Sequence, residues 1–432
     1  MVDRFFGLSA QGTTVSREIM AGCTTFVAMA YIIFINPQIL AEAGLDEGAV
    51  FAATCVAAAV GSLIMGLYAN YPIAVAPGMG LNAFFTYGVV FGLGLPWETA
   101  LGAVFISGVI FIVLSVLPVR EWVINAIPRE LKMAISAGIG LFLIIIGLSS
   151  MGIVADNPAT LVGLGDLSSP VLVLGVVCFL AIGILETLKV PGGILIGMIG
   201  ATIVAALFGL TDLNWVGSPP PSLAPTFLAL DIAAAAELAL ATVIISFLFV
   251  DMFDTAGTLV GVASKANLLD EDGKLPRLNR ALIADSSATL IGSLIGTSSV
   301  TSYVESAAGV RAGGRTGLTA VVVASLFLLA LFFAPLAQSV GPYATGAALV
   351  FVGCVMASGL AATDWDDVTS FVPVVVTAIS MPLTYSIATG LGFGFVTFAV
   401  LKIGSGRIKE LSGGVMVLAA VFLAKFIFID AA

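Results

Sequence analysis

Residues 241–264 read ATVIISFLFVDMFDTAGTLVGVAS, and residues 281–317 read ALIADSSATLIGSLIGTSSVTSYVESAAGVRAGGRTG. Two apolar segments here carry carboxylates where a lipid-spanning helix should carry none: Asp251, Asp254, Asp285 and Glu305. Each ionised carboxylate at the bilayer centre costs roughly 2.5–3.5 kcal/mol, so such groups face a cavity, a partner or a substrate. After Gly296 the helical pattern fails. GTSSVTSY is β-branched and rich in hydroxyls, and non-helical backbone at membrane depth survives only where protein or water covers it. A broken segment opening a half-helix at Glu305 is a common way to build a mid-membrane transport site.

The rest of the chain agrees. It has 432 residues, 59% hydrophobic and 10% charged, with a mean hydropathy of +1.15; a soluble domain carries about 25% charged residues. This is the composition of an all-α polytopic membrane protein. Apolar runs of spanning length fall near 17–36, 49–69, 74–91, 98–117, 131–151, 171–188 and 191–209. A second set falls near 237–263, 281–296, 299–313, 316–338, 343–361, 370–386, 388–402 and 412–430. The proline-rich loop Thr211–Asp231 divides them, giving a first repeat over 1–210, a linker over 211–236 and a second repeat over 237–432. Basic residues (Arg4 and Arg17; Arg120, Arg129 and Lys132; Lys189; Lys265, Lys274, Arg277 and Arg280; Arg311 and Arg315; Lys402, Arg407 and Lys409) fall on one side of alternating crossings, expected to be cytoplasmic along with the N-terminus. The first twenty residues lack the pattern of a cleaved signal peptide.

Segments three and ten each join a short extended stretch to a glycine-containing half-helix: YPIAVAPGMGLNAFFTYG and GTSSVTSYVESAAGV. Each is third in its half, and seven segments before the linker invert the second half. Paired interrupted segments at matching positions point to a transporter site. Two half-helix N-termini would direct positive dipole ends at it.

The individual residues have competing readings. Asp251 and Asp254, three apart, are expected to share a helix face, with Gly257 and Gly261 giving close-packing spacing; the alternative is structural carboxylates bonded to backbone. Burial disfavours the ionised form, so at least one acid is expected to hold a proton. Glu305 is a substrate acceptor or an N-terminal cap. Asn82 occupies the matching half-helix and both donates and accepts. Asp285 is expected to stabilise its helix with Ser286, Ser287 and Arg280, and Glu186 to pair with Lys189. The glycines from Gly309 to Gly317 lack the strand and lysine of a phosphate loop. With no histidine and four isolated cysteines, an enzyme's nucleophile, base or metal set is missing, and no metal or cofactor is called for.

At these residues the chain resembles the AzgA-like adenine, guanine and hypoxanthine permeases of the nucleobase transporter superfamily, which also holds the uracil and xanthine permeases. The strings GCTTFVAMAYIIFINP (Gly22–Pro37), APGMGLNAFFTYG (Ala76–Gly88), FVDMFDTAGTLVGVA (Phe249–Ala263) and GTSSVTSYVESAAGVRAGGRTGLT (Gly296–Thr319) carry the likeness. It implies two inverted seven-segment repeats with short strands in segments three and ten. It implies a core domain (about 15–118 and 237–340) and a gate domain (about 119–210 and 341–432). It implies a purine held by Glu305, Asp254, Asn82, Phe85, Thr25 and Phe26, beside the strand backbone of Tyr303 and Val304, with Asp254, Asp251 and Glu305 as coupling acids. Fifteen apolar runs stand against the family's fourteen. The expected function is proton-coupled purine import through the cell membrane, with no nucleic-acid partner and a homodimer compatible. The alternatives are a same-fold transporter of uracil, xanthine or an inorganic anion, sodium coupling, or a channel. Glu305, helped by the helix dipole, is expected chiefly to bind, and Asp254 chiefly to carry the proton.

Overall fold

The computed structural model describes residues 2–117, 127–213, 217–237, 240–266, 268 and 275–428. Arg120 and Lys274 lie outside them. A short helix α1 (Val2–Phe6) precedes α2 (Val15–Met29), α3 (Ile32–Glu42) and α4 (Glu47–Ile64), the last extended by a π turn over Met65–Ala69. Strand β1 (Val75–Pro77) leads into α5 (Met79–Ala83), which widens into a π-helix to Phe91. Then come α6 (Trp97–Val116), α7 (Arg129–Ser150), the hairpin β2 (Val154–Asn157) and β3 (Leu161–Leu164), α8 (Pro170–Thr187) and α9 (Gly193–Leu207). The second half begins with α10 (Ile232–Ala235), α11 (Ala241–Lys265) and α12 (Leu278–Ile295). Strand β4 (Val300–Ser302) opens the half-helix α13 (Ser306–Arg311). The chain ends with α14 (Gly317–Ala330), α15 (Ala334–Ser339), α16 (Pro342–Ala357), α17 (Val368–Thr384), α18 (Ile387–Gly404) and α19 (Gly413–Phe428).

Each of the fifteen apolar runs thus carries helix or strand plus half-helix, including the three after Asp367. Among the described residues nine helices are long and apolar enough to cross a membrane. Segment one forms one span, Val15–Glu42, in which two turn residues of right-handed helical conformation, Ala30 and Tyr31, separate α2 from α3. No glycine or proline marks that break. Pro37 lies inside α3 instead. The loop after α7 also holds the β2–β3 hairpin, which no apolar run revealed.

The two halves interleave. Helices α2, α4 and α6 of the first pack on α11, α12, α13 and α14 of the second. Helices α7, α8 and α9 pack on α16 and, through α7, on α17 and α18. Helix α7 crosses α16 backbone against backbone. A Cβ on Gly140 would lie 2.5 Å from the Gly353 carbonyl oxygen, and one on Gly147 would lie 2.5 Å from that of Gly346. Lipid offers no hydrophobic drive for helices to associate, so such small-residue crossings supply the contact. The spacing of Gly257 and Gly261 has no such use: a Cβ on either would meet nothing within 4 Å.

The linker is bound down rather than loose. Leu228 donates its N–H to the Leu294 carbonyl at 2.8 Å, and the Thr226 hydroxyl donates to the Ile295 carbonyl at 3.0 Å. Gly296 ends α12 at φ +97°, with Thr226 where a Cβ would sit; an L side chain fails there on both counts. That turn sends the chain back into β4. At the far end, Asp367 caps α17 through the Thr369 N–H and takes a 2.6 Å bond from Arg407. The Thr369 hydroxyl and then Arg407 hold the Asp367 carboxyl down to about 2, so this clasp is present at neutral pH and loosens only as pH falls towards that value.

Gly147→Val should displace α16 from α7 and cost about 1–3 kcal/mol through overpacking, read as a lower unfolding temperature in detergent. Gly257→Ala, facing open space, should leave that temperature unchanged.

Candidate functional site

The two strands meet antiparallel in mid-bundle, pairing Val75 with Ser302, Ala76 with Thr301 and Pro77 with Val300. Gly78 N–H donates to Ser299 O at 3.0 Å and Tyr303 N–H to Ala74 O at 2.9 Å. Each strand feeds a half-helix, so antiparallel pairing starts the two half-helices from opposite ends of one three-residue ladder. Alternation of the ladder leaves the backbone groups of Val75, Pro77, Val300 and Ser302 pointing away from the partner strand. Buried backbone groups need partners, and side chains supply them. The Ser62 hydroxyl of α4 donates to Val75 O at 3.1 Å and accepts from Val75 N at 3.0 Å. The Thr289 hydroxyl of α12 bridges the carbonyl and N–H of Val300 in the same way, at 2.8 and 3.1 Å. Pro77 has no N–H to place, and its carbonyl accepts from the Tyr303 phenol at 2.5 Å. Segments two and nine therefore perform matching tasks for segments three and ten.

The acids divide into two sets. Asp251 and Asp285 are wholly buried behind β4. Asp285 accepts from the Thr255 hydroxyl at 2.6 Å and the Ser302 hydroxyl at 2.7 Å. Its expected partners Ser286 and Arg280 are elsewhere: Ser286 bonds back to Leu282 O, and Arg280 lies over the Tyr68 ring. Asp251 lies 2.9 Å from the Thr289 hydroxyl. Asp254 and Glu305 are only half-buried, on α11 and at the start of α13, which pack together; each carboxylate is within electrostatic reach of the other. Asp251 and Asp254, expected on one face, thus divide between two environments.

Glu305 accepts a hydrogen bond from the Tyr31 phenol, which the break in segment one delivers. Sequence reasoning missed Tyr31, because nothing in its neighbours marks the break. It also missed Ser62, Thr255, Thr289 and Ser302; a hydroxyl at matching depth in segments two and nine was the available signal. The remaining expected residues take varied places. Asn82 is buried, and its carbonyl oxygen accepts from Ser298, tying the half-helix α5 to the stretch that leads into β4. Its Nδ2, like Thr25 Oγ1 and Ser299 Oγ, has no partner among the described residues. Thr25 lies under α13, where its hydroxyl fills the space a Cβ on Gly309 would need. Val304 is 52% exposed, whereas the Tyr303 N–H and phenol are both spent on β1. Phe85 is fully buried. Phe26 packs edge-on to Phe327 and lines an apolar crevice of about 190 Å³ with Ala30, Leu195 and Leu329, away from the strand pair. Glu186 turns from Lys189 to the start of α9 and towards Arg311.

A helical bundle with crossed strand-plus-half-helix units and acids at their meeting point has the architecture of a secondary transporter. Residues 16–393 match the permease family, and the chain belongs to that family. Adenine permease AdeP of Escherichia coli is 47% identical over 431 residues, covering 100% of this chain and 97% of that protein. Guanine/hypoxanthine permease PbuG of Bacillus subtilis is 47% identical over 438 residues, covering 98% of this chain and 99% of that one. The transmembrane domain of a cyanobacterium bicarbonate transporter, BicA, superposes with a TM-score of 0.65 at 17% identity, over 88% of this chain and 97% of that one; this is a likeness of fold.

Ser62→Ala should strand the N–H and carbonyl of Val75. Each buried unpaired group costs about 1–3 kcal/mol, so the unfolding temperature in detergent should drop clearly, while Ser325→Ala on exposed α14 surface should change nothing.

Proposed function

We propose that this chain imports purine nucleobases (adenine, guanine or hypoxanthine) by proton symport. The observation that carries the reading is the pair of half-buried carboxylates, Glu305 and Asp254, beside exposed Val304 at the N-terminus of the half-helix α13. A purine presents ring N–H donors to such acids and ring nitrogens to backbone N–H groups. Relatives named for adenine and for guanine and hypoxanthine support the same substrate class. Buried acids disfavour an inorganic anion. Glu305, at a helix N-terminus and already accepting from Tyr31, suits the role of fixed acceptor for the base. Asp254, on the wall of α11 without that help, suits proton entry.

The interleaved packing supports a division into a core (α2 to α6 with α11 to α15) and a gate (α7 to α9 with α16 to α19). Sliding of one past the other would expose the strand pair to either side. Loop basicity supports a cytoplasmic N-terminus.

Cells expressing the chain should accumulate labelled adenine or hypoxanthine, unlabelled purines should compete, and a protonophore should reduce uptake. Uptake of uracil or sulfate without purine competition would overturn the substrate class, and equal drive by sodium at constant pH would overturn the coupling. Glu305→Gln keeps size and loses an acceptor; binding by calorimetry should weaken about ten- to a hundredfold, each tenfold being about 1.4 kcal/mol. Asp254→Asn should still bind and should lose gradient-driven accumulation. Loss of binding in Asp254→Asn, with normal binding in Glu305→Gln, would reverse the two roles.

A further inference from the structure

Hydrogens can be counted around Thr289. Its hydroxyl has one hydrogen to donate and two lone pairs to accept with. Three polar atoms surround it: the Val300 N–H at 3.1 Å, the Val300 carbonyl at 2.8 Å and an oxygen of Asp251 at 2.9 Å. The N–H takes one lone pair. The single hydroxyl hydrogen cannot serve both oxygens. If Asp251 were a carboxylate, one oxygen would face a bare lone pair at under 3 Å in a fully buried site, and Val300 O has no donor from the partner strand to turn to. If Asp251 is a carboxylic acid, the count closes. Its O–H donates to Thr289, Thr289 donates to Val300 O, and Val300 N–H donates to Thr289.

The other oxygen of Asp251 gives an independent indication. It is buried and has no partner among the described residues. An ionised carboxylate oxygen left so would cost far more than the carbonyl oxygen of a neutral acid. Asp285 is the contrast. Thr255 and Ser302 give it hydrogens that are committed nowhere else, since the Thr301 hydroxyl, 2.8 Å from that of Thr255, can donate to it. Asp285 is built as the fixed anion.

The surroundings bring no compensating cation to Asp251. The charges acting on it, among the described residues, are those of Asp285 from α12 and Asp254 one turn along α11; Arg280, in the first turn of α12, lies over the Tyr68 ring. Of the other elements packed on α11, α6 carries Glu98 alone, at its first turn, and β4 and α5 carry no charge. Helix α13 brings Glu305, bonded to Tyr31, and Arg311 at its far end. Helix α7 brings Arg129, Glu130 and Lys132, with Lys132 over the Phe253 ring, and α18 brings Lys402, tied to Glu410.

We propose that Asp251 holds a proton in this conformation and is the resting place of the transported proton, read by the substrate strand through Thr289. On release, the Asp251 carboxylic acid passes one proton to water at half-exposed Asp254 and becomes a carboxylate. Thr289 then turns its hydrogen from Val300 O to Asp251. The Val300 carbonyl loses its donor, and β4, which leads directly to Val304 and Glu305, loosens. Proton occupancy is thereby coupled to the backbone that flanks the substrate. The coupling consequence rests on the proposed purine symport; the protonation itself does not.

Infrared spectroscopy on the purified protein tests the protonation. The parental protein should show the carbonyl stretch of a buried carboxylic acid, distinct from carboxylate bands. Asp251→Asn should remove it, Asp254→Asn should keep it, and Thr289→Val, which takes away the acid's acceptor, should shift it to higher frequency. Absence of the band from the parental protein, its survival in Asp251→Asn, or an unmoved band in Thr289→Val would overturn the assignment. In proteoliposomes, Asp251→Asn should bind labelled hypoxanthine or adenine with a flat pH profile and exchange it across the membrane, while proton-driven accumulation falls at least tenfold. Accumulation within twofold of the parental level would overturn the coupling role. If the parental protein binds no purine, the substrate reading fails while the infrared result still decides Asp251.

Discussion

The whole arrangement depends on satisfying backbone hydrogen bonds in a two-stranded sheet that has no water to turn to. A sheet of two strands has two open edges, and each unpaired group inside a bilayer would cost several kcal/mol. Here side chains meet the edges: Ser62 on one side, Thr289 on the other, and the Tyr303 phenol over Pro77. Proline falls at a position whose outward N–H would otherwise need a partner. The strands in turn fix where each half-helix begins, and with the start of α13 the position of Glu305. Segments two and nine are therefore as much part of the site as the broken segments they support.

Close packing fixes what the strands do not. The α7–α16 crossing runs backbone against backbone at two pairs of glycines seven residues apart, Gly140 with Gly353 and Gly147 with Gly346. Dispersion and weak polar contacts are what hold helices together in lipid, and both need this proximity. Across the boundary between the two groups of helices, contacts are made by α2 with α9, α5 with α7 and α11 with α18. The strand pair lies in the first group, with the exposed Val304 at its end.

The carboxylates make sense only in relation to this scaffold. Four acids in adjacent apolar segments look alike as residues, yet they differ in hydrogen-bond supply. Asp285 has two donors, Glu305 has Tyr31, Asp251 competes with a carbonyl for one hydroxyl hydrogen, and Asp254 is half open. Charge state follows from donors available rather than from depth alone.

The sequence by itself determined the membrane class, the apolar segments and the breaks in segments three and ten. These are properties of composition and local pattern: a run of apolar residues of bilayer length, or a cluster of β-branched hydroxyl residues interrupting one, declares itself without reference to anything distant. It also picked out Glu305, Asp254 and Asn82, because a polar group in such a run is conspicuous. Tertiary structure alone decided the rest. The interruption at Ala30–Tyr31 is not announced by a glycine or proline beside it, and the partner of the Tyr31 phenol is a carboxylate 274 residues away. Asp251 and Asp254 share a spacing but not an environment, since α12 and β4 cover one and not the other. Phe26 reads as a stacking ring and becomes part of an apolar crevice, and Gly257 reads as a packing glycine and meets open space. Ser62 and Thr289 are ordinary small residues in sequence. Their importance arises only when strand edges, folded against them from elsewhere in the chain, present backbone groups that have no other partner.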